Sequence, residues 1–346
     1  MPERPPSLKE WQELYDAAIK FKDLAPWEWM YDSDIFGVKN PYSDDEIGYC
    51  CVLGRAGEVL GLVVYLGSEG LQTYIETQLG RAQKNPFATF IETTGLVCFF
   101  GSRDELHKRD LEVIKGLGLR FRGHNAWPMF RSYRPGYYPW FLTSGESRYL
   151  AIALEQSLNV ATRFREDPEM LKPPKPGQYL VRVPLKQDGK ILWTDSWIEP
   201  KPVAKVEVPR AVYLDSIRIR RALKGAKKVS LHVEADLFNL PNPIMDEGDE
   251  RPYFPRMVLW VDKGSGLVLK FDLFDLEEQD PFGESFLRFI ETTGMIPSDV
   301  HLADRDREAE LTPVADAIGT RLVREKRLRA LEQAREGLLA TMGAGW

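Results

Sequence analysis

After a proline-rich start, Trp11, Leu14, Tyr15, Ala18, Ile19 and Lys22 recur at i, i+3, i+4 spacing, which predicts an amphipathic helix over Leu8 to Leu24. Ser7 with Glu10 three residues on has the form of a capping box, and Pro26 stops the helix. Short apolar runs then predict strands at Ile35–Lys39, Gly48–Gly54 and Glu58–Leu66, the last two joined by a turn at Arg55-Ala56-Gly57. A helix over Leu71–Thr93, with a break near Asn85-Pro86, precedes a strand at Leu96–Phe100. A helix over Glu105–Gly116, a strand at Leu119–Arg122 and a long helix over Gly145–Arg165 complete this half.

Pro168 to Pro176 contains Lys172-Pro-Pro-Lys-Pro, which suits neither a helix nor a central strand. The expected division is therefore an N-terminal lobe over 1–167, a linker over 168–176 and a C-terminal lobe over 177–346. The second lobe is expected to open on a hairpin, Tyr179–Pro184 and Ile191–Trp197, turning at Asp188-Gly189. A basic stretch and a short helix near Ser216–Leu223 follow. Strands are then predicted at Val229–Leu237, Met257–Val261 and Leu267–Leu273, a helix at Phe282–Thr293 and a strand at Asp299–Ala303. A helix at Glu308–Ile318, a strand at Arg321–Arg324 and a last helix from Lys326 to about Ala340 end the pattern.

The two halves echo one another. Phe90-Ile-Glu-Thr-Thr-Gly95 recurs as Phe289-Ile-Glu-Thr-Thr-Gly294, preceded by Asn85-Pro-Phe and Asp280-Pro-Phe. In both, the hexapeptide is expected to end a helix, with glycine at the left-handed C′ position. The expected fold class is α/β: two related lobes, each with the order β-β-β-α-β-α-β-α, forming a mixed sheet flanked by helices.

Composition narrows the class. At 346 residues, 43% hydrophobic and 11% aromatic, the chain reads as folded and long enough for two domains. A formal charge of −6 gives no global attraction for nucleic acid or anionic lipid. Locally, nine Lys/Arg lie between Lys201 and Lys228, which read as a solvated face and leave nucleic acid a weakly supported partner. Cys50, Cys51 and Cys98 make no Cys-x-x-Cys, and adjacent Cys50 and Cys51 point to opposite faces of a strand. Buried thiols, no signal-like apolar start and no membrane-length apolar run make the cytoplasm the expected compartment.

The order of elements resembles the ribonuclease H-like fold, over roughly 30–165 and 228–342. Gly294-Met-Ile-Pro-Ser-Asp-Val-His-Leu-Ala-Asp304 resembles the segment of retroviral-type integrase cores in which a strand delivers the second catalytic aspartate. By that resemblance Asp236 matches the first aspartate, and Asp236 and Asp304 are the implied Mg²⁺ ligands. Phosphodiester chemistry of this kind needs carboxylates converging on a pair of ions about 4 Å apart. In the last helix Leu328, Leu331, Arg335 and Leu338 track one face, and Glu332, which flanks it, is the candidate third acid. Arg305 and Arg307 depart from the small polar turn of that pattern, and the competing reading of Asp304 or Asp306 is a helix cap. Asp262-Lys-Gly-Ser-Gly266 reads either as a phosphate loop of the actin and sugar-kinase group or as a hairpin turn, the turn being favoured.

His124 to Phe141 holds seven aromatics and two arginines in 18 residues. Arg131, Arg134, Tyr138 and Trp140 are its candidate ligand-binding residues, in a groove or a cover between lobes. With Pro26-Trp27-Glu28-Trp29, the segment resembles an uncharacterised family of bacterial proteins, which implies no reaction. The four histidines show no zinc-type spacing, so no zinc site is expected, although His232 and His301 fall on neighbouring predicted strands. No cofactor is expected apart from Mg²⁺ in the catalytic alternative. The reading that follows is a non-catalytic binding or adaptor protein, with an unidentified protein or small ligand between the lobes and no membrane. The alternative is a Mg²⁺-dependent nuclease or phosphoryl-transfer enzyme.

Overall fold

A computed structural model describes residues 4–43, 45–57, 59–80, 86–187, 190–203, 216–248 and 250–342. Glu58, Asn85, the turn Asp188-Gly189 and residues 204–215 of the basic stretch lie outside the described residues. The chain forms two compact units, the first ending at Ala204 and the second starting at Lys205.

In the first unit, helix α1 (Leu8–Leu24) begins where the sequence predicts, with Ser7 and Glu10 forming the capping box. Strands β1 (Phe36–Lys39), β2 (Ile47–Leu53) and β3 (Leu60–Leu66) form an antiparallel meander, followed by helices α2 (Gly67–Gln78) and α3 (Pro86–Glu92). Strand β4 (Gly95–Gly101), helix α4 (Lys108–Gly116), strand β5 (Trp127–Tyr133) and helix α5 (Ser144–Glu166) come next, and then β6 (Tyr179–Gln187) and β7 (Lys190–Ile198). The seven strands lie in the order β5-β4-β3-β2-β1-β6-β7, and the β1–β6 pair is parallel.

Alternation along β2 divides two cores. Cys50 and Val52 face a large apolar cluster with Leu14, Tyr15 and Phe21 of α1 and Leu150 and Leu154 of α5. Tyr49 and Cys51 face the opposite side, with Leu71 and Tyr74 of α2. The two adjacent cysteines do point to opposite faces.

Three expectations need correction in this unit. The hairpin 179–198 belongs to the first sheet and not to the second unit, because β6 pairs with β1, and Arg182 on β6 donates to Gln156 of α5 and to Asp195 of β7. Residues 168–176 therefore lie inside the first unit, where Pro168–Leu171 forms a 3₁₀ turn capped by Asp167. No strand forms at 119–122; Gly118 closes the preceding helix at positive φ, and the strand is β5, inside the aromatic segment. At the sheet edge β5 tolerates Pro128, and its Phe130 and Ser132 point inward.

In the second unit, helix α6 (Ser216–Gly225) leads into β8 (Lys227–Asn239), β9 (Arg256–Asp262) and β10 (Val268–Phe274), another antiparallel meander. Helix α7 (Pro281–Thr293), strand β11 (Met295–Leu302), helix α8 (Arg305–Ile318), strand β12 (Arg321–Arg324) and helix α9 (Arg329–Thr341) follow. The sheet order is β10-β9-β8-β11-β12, with β11 parallel to both neighbours. One face packs against α6, α7 and α8 around Trp260, whose ring stacks on Phe286 at 5.1 Å. The other face carries α9, with Leu328 and Leu331 against Leu259 and Val261.

Both sheets are mixed and flanked by helices, as expected, but they do not correspond strand for strand. The strand after the hexapeptide runs antiparallel to β3 in the first unit, whereas in the second it is parallel to β8. The two glycines differ accordingly. Gly294 caps α7 at φ 66°, whereas Gly95 is the first residue of β4, where a Cβ would stand 2.9 Å from the Val64 carbonyl oxygen. Six shared residues thus serve two unlike strand pairings, and the expected common topology is not observed.

Candidate functional site

The predicted acids lie in the second unit, at the end of the sheet where β8 and β11 run side by side. Asp236 is on β8, and its Oδ1 accepts from the Leu237 amide. Burial pushes its carboxyl above the usual carboxylate range; that amide, Arg307 and Arg335 oppose the shift, and Asp304 adds to it. Asp304, just beyond β11, is the N-cap of α8 and accepts from the Asp306 amide at 2.7 Å. Glu332, in the first turn of α9, accepts from Arg327 Nε at 3.1 Å, and this guanidinium holds its carboxyl below the ordinary value. One helical step further, Arg335 stacks over Phe238 at 5.4 Å and sits 4.0 Å from Asp236 Oδ2.

The trio Asp236, Asp304 and Glu332 therefore does not converge. Among the described residues, these three carboxylates form no group with ligand atoms within 4.8 Å of one another. Each has another partner instead: Glu332 pairs with Arg327, Asp304 caps α8, and Arg335 of α9 stands beside Asp236. Asp262 closes the 262–266 turn by accepting from the Gly264 and Ser265 amides, so the segment is a hairpin turn whose amides are already engaged.

The aromatic segment of the first unit is built into its own fold. Arg131 makes a two-pronged ion pair with Asp110 at 3.0 and 2.7 Å and stacks on Phe141. Arg134 pairs with Glu146, which also accepts from Ser132 and caps α5. Trp140 bridges Ser132 through the backbone and packs edge-on to Phe141, while Tyr138 is exposed. Arg131 is thus a structural residue and not a free ligand grip.

A cluster with no motif spacing in the sequence assembles on the α9 face of the second sheet. Register places Asp299 of β11 opposite His232 of β8, with His301 two residues on and on the same face. His232, Asp299 and His301 each offer a ligand atom within 4.8 Å of the others. His232 Nδ1 lies 2.5 Å from Asp299 Oδ2, and His301 Nδ1 lies 2.8 Å from Glu325 Oε1. Lys263 donates to the same Glu325 oxygen, and Arg321 donates to Asp299 Oδ1. Arg321 holds the Asp299 carboxyl below its ordinary value, and Lys263 does the same for Glu325. Glu234, two residues beyond His232, turns its buried carboxylate to the Leu331 amide in the first turn of α9. In the sequence these residues share only the neighbouring predicted strands; the parallel register that joins them belongs to the tertiary fold.

Compared with known proteins, residues 11–182 match the family model described as domain of unknown function (DUF7309), and residues 218–339 match the one described as domain of unknown function (DUF6930). No curated protein matches the chain. Among solved structures, it is similar to a chain of the simian T-cell lymphotropic virus intasome in complex with PP2A regulatory subunit B56 gamma. That match has 18% identity and a TM-score of 0.26 over 34% of this chain and 41% of that one. It is also similar to a chain of the Mos1 transposase paired-end complex with left transposon end, at 12% identity and a TM-score of 0.21 over 52% of this chain and 54% of that one. Likenesses at this level transfer neither activity nor partner. Among the described residues, no helix is long and apolar enough to cross a membrane.

Proposed function

We propose that the second unit is a non-catalytic binding module on a ribonuclease H-like sheet. The observation that carries this reading is Arg335, which comes from the last helix to stand 4.0 Å from Asp236, where metal-dependent phosphodiester chemistry would need another carboxylate. Asp304 is engaged as a helix cap and Glu332 is tied to Arg327, so neither is poised as an ion ligand. A partner surface is available on β10, an edge strand with Phe271 and Leu273 exposed. Open edges with apolar side chains are natural places for another chain to dock. Three buried free thiols support a reducing, cytoplasmic setting.

The test is Mg²⁺ titration calorimetry with a nuclease assay on single- and double-stranded substrates, using Asp236→Asn as control. Mg²⁺ selects oxygen ligands and so reports on the carboxylates. No saturable heat up to about 5 mM, and no cleavage, is the expected result. Binding or cleavage that Asp236→Asn abolishes would replace this reading with the Mg²⁺-dependent phosphodiester alternative.

A further inference from the structure

We propose that His232, Asp299 and His301 form a binding site for one divalent transition-metal ion, of which Zn²⁺ is the representative. Two imidazoles and a carboxylate are the donor set that such ions favour, with remaining positions open to water or a ligand. The strands supply the spacing: Asp299 and His301 are two residues apart on one face of β11, and His232 lies across from Asp299 on β8.

A second observation points the same way. The His301 side chain is only 9% exposed, and its buried Nε2 has no hydrogen-bond partner among the described residues. Leaving such an atom unsatisfied is costly, and buried orphans of this kind call for a specific occupant. The opposite ring nitrogen shows which atom is free to bind. Nδ1 lies closer to Glu325 Oε1, at 2.8 Å, than to Lys263 Nζ, at 3.3 Å. A carboxylate accepts, so Nδ1 carries the proton and Nε2 carries the lone pair. Glu325 then plays the part of the carboxylate that orients a metal-bound imidazole from behind. Access is from solvent through His232, whose side chain is 53% exposed beside an Asp299 that is only 5% exposed. Both Asp299 oxygens are engaged, Oδ2 by His232 Nδ1 and Oδ1 by the mostly exposed Arg321, so an ion takes the place of both contacts and the His232 Nδ1 proton is released to solvent as it binds.

This site does not depend on the reading of Asp236 and Asp304. The experiment is titration of the untagged, chelator-stripped full-length chain with Zn²⁺ by calorimetry, and with Co²⁺ by visible absorption. One ion per chain is expected. His232→Ala and Asp299→Asn should each weaken binding by more than about tenfold, and Glu325→Gln by about 10–100-fold. His124→Ala, in the first unit, should leave binding unchanged. His232 is half-exposed, so its alanine variant is expected to keep the circular dichroism and unfolding temperature of the parent, which separates lost ligation from lost fold. Absence of saturable Zn²⁺ binding at about 100 μM overturns the proposal, as does binding that survives both His232→Ala and Asp299→Asn.

Discussion

Replacing Glu10 by glutamine tests how the first unit holds its two long helices together. The Glu10 carboxylate accepts from the Ser7 amide at 2.7 Å, from Arg4 at 2.9 Å and from Ser144 Oγ on α5 at 2.7 Å. It therefore caps α1 and fastens it to the start of α5 at once. Burial raises its carboxyl pKa, but these hydrogen bonds outweigh burial and bring it from 4.5 down to about 2. At about 1.4 kcal/mol per unit the full shift corresponds to roughly 3 kcal/mol. Arg4 is largely exposed, so solvent screening leaves about 1–2 kcal/mol. The folded-state value lies below the unfolded one, so this stability is complete above about pH 4.5 and is lost as pH falls toward 2. Urea unfolding of wild type and Glu10→Gln, followed by tryptophan fluorescence, measures it, because seven of the nine tryptophans belong to the first unit. The variant should be less stable by about 1–2 kcal/mol at pH 7, with the gap closing progressively below pH 4.5. Equal stability at pH 7, or a gap that stays constant down to pH 3, would refute the reasoning.

Further outcomes follow from other buried contacts. Trp260 Nε1 donates to Ser285 Oγ at 2.8 Å, and that hydroxyl donates to Asp272 at 2.6 Å, so Ser285→Ala should cost the second unit about 1–3 kcal/mol. Calorimetric thermal unfolding of the whole chain, wild type against the variant, checks it. A Cβ on Gly48 would stand 2.5 Å from the Tyr149 hydroxyl, which donates to the Val38 carbonyl. Gly48→Ala should therefore destabilise by about 1–3 kcal/mol in chemical denaturation, with Tyr149→Phe relieving part of the loss. Burial pushes the Cys50 thiol up to about 12 and raises Cys51 and Cys98 as well, so at pH 8 the native protein should show no fast-reacting thiol. The three cysteines should react with a thiol reagent only after denaturation, and a fast native phase would contradict their placement.

Local pattern alone determined a good deal of this protein. The Ser7–Glu10 capping box and the 3.6-residue period specify α1 to its terminal residues, and the alternation around Cys50 and Cys51 specifies a strand buried on both faces. The hairpin at 262–266 was legible because an aspartate accepting from the next amides, followed by glycine, forms its turn unaided. Strand partnership was decided elsewhere. Nothing within Phe90–Gly95 states whether the following strand will run beside β3 or parallel to β8, since that depends on which distant edge offers free amides and a matching apolar face. The same holds for the sites. Asp236, Asp304 and Glu332 had suitable chemistry and order, yet in the fold Arg335 stands beside Asp236, Arg327 pairs with Glu332 and Asp304 caps a helix. His232, Asp299 and His301 had no motif spacing, and one parallel register brought them within reach of one another. Side-chain type is written in the chain, whereas the few ångströms that turn side chains into a site are set by the pairing of strands far apart in sequence.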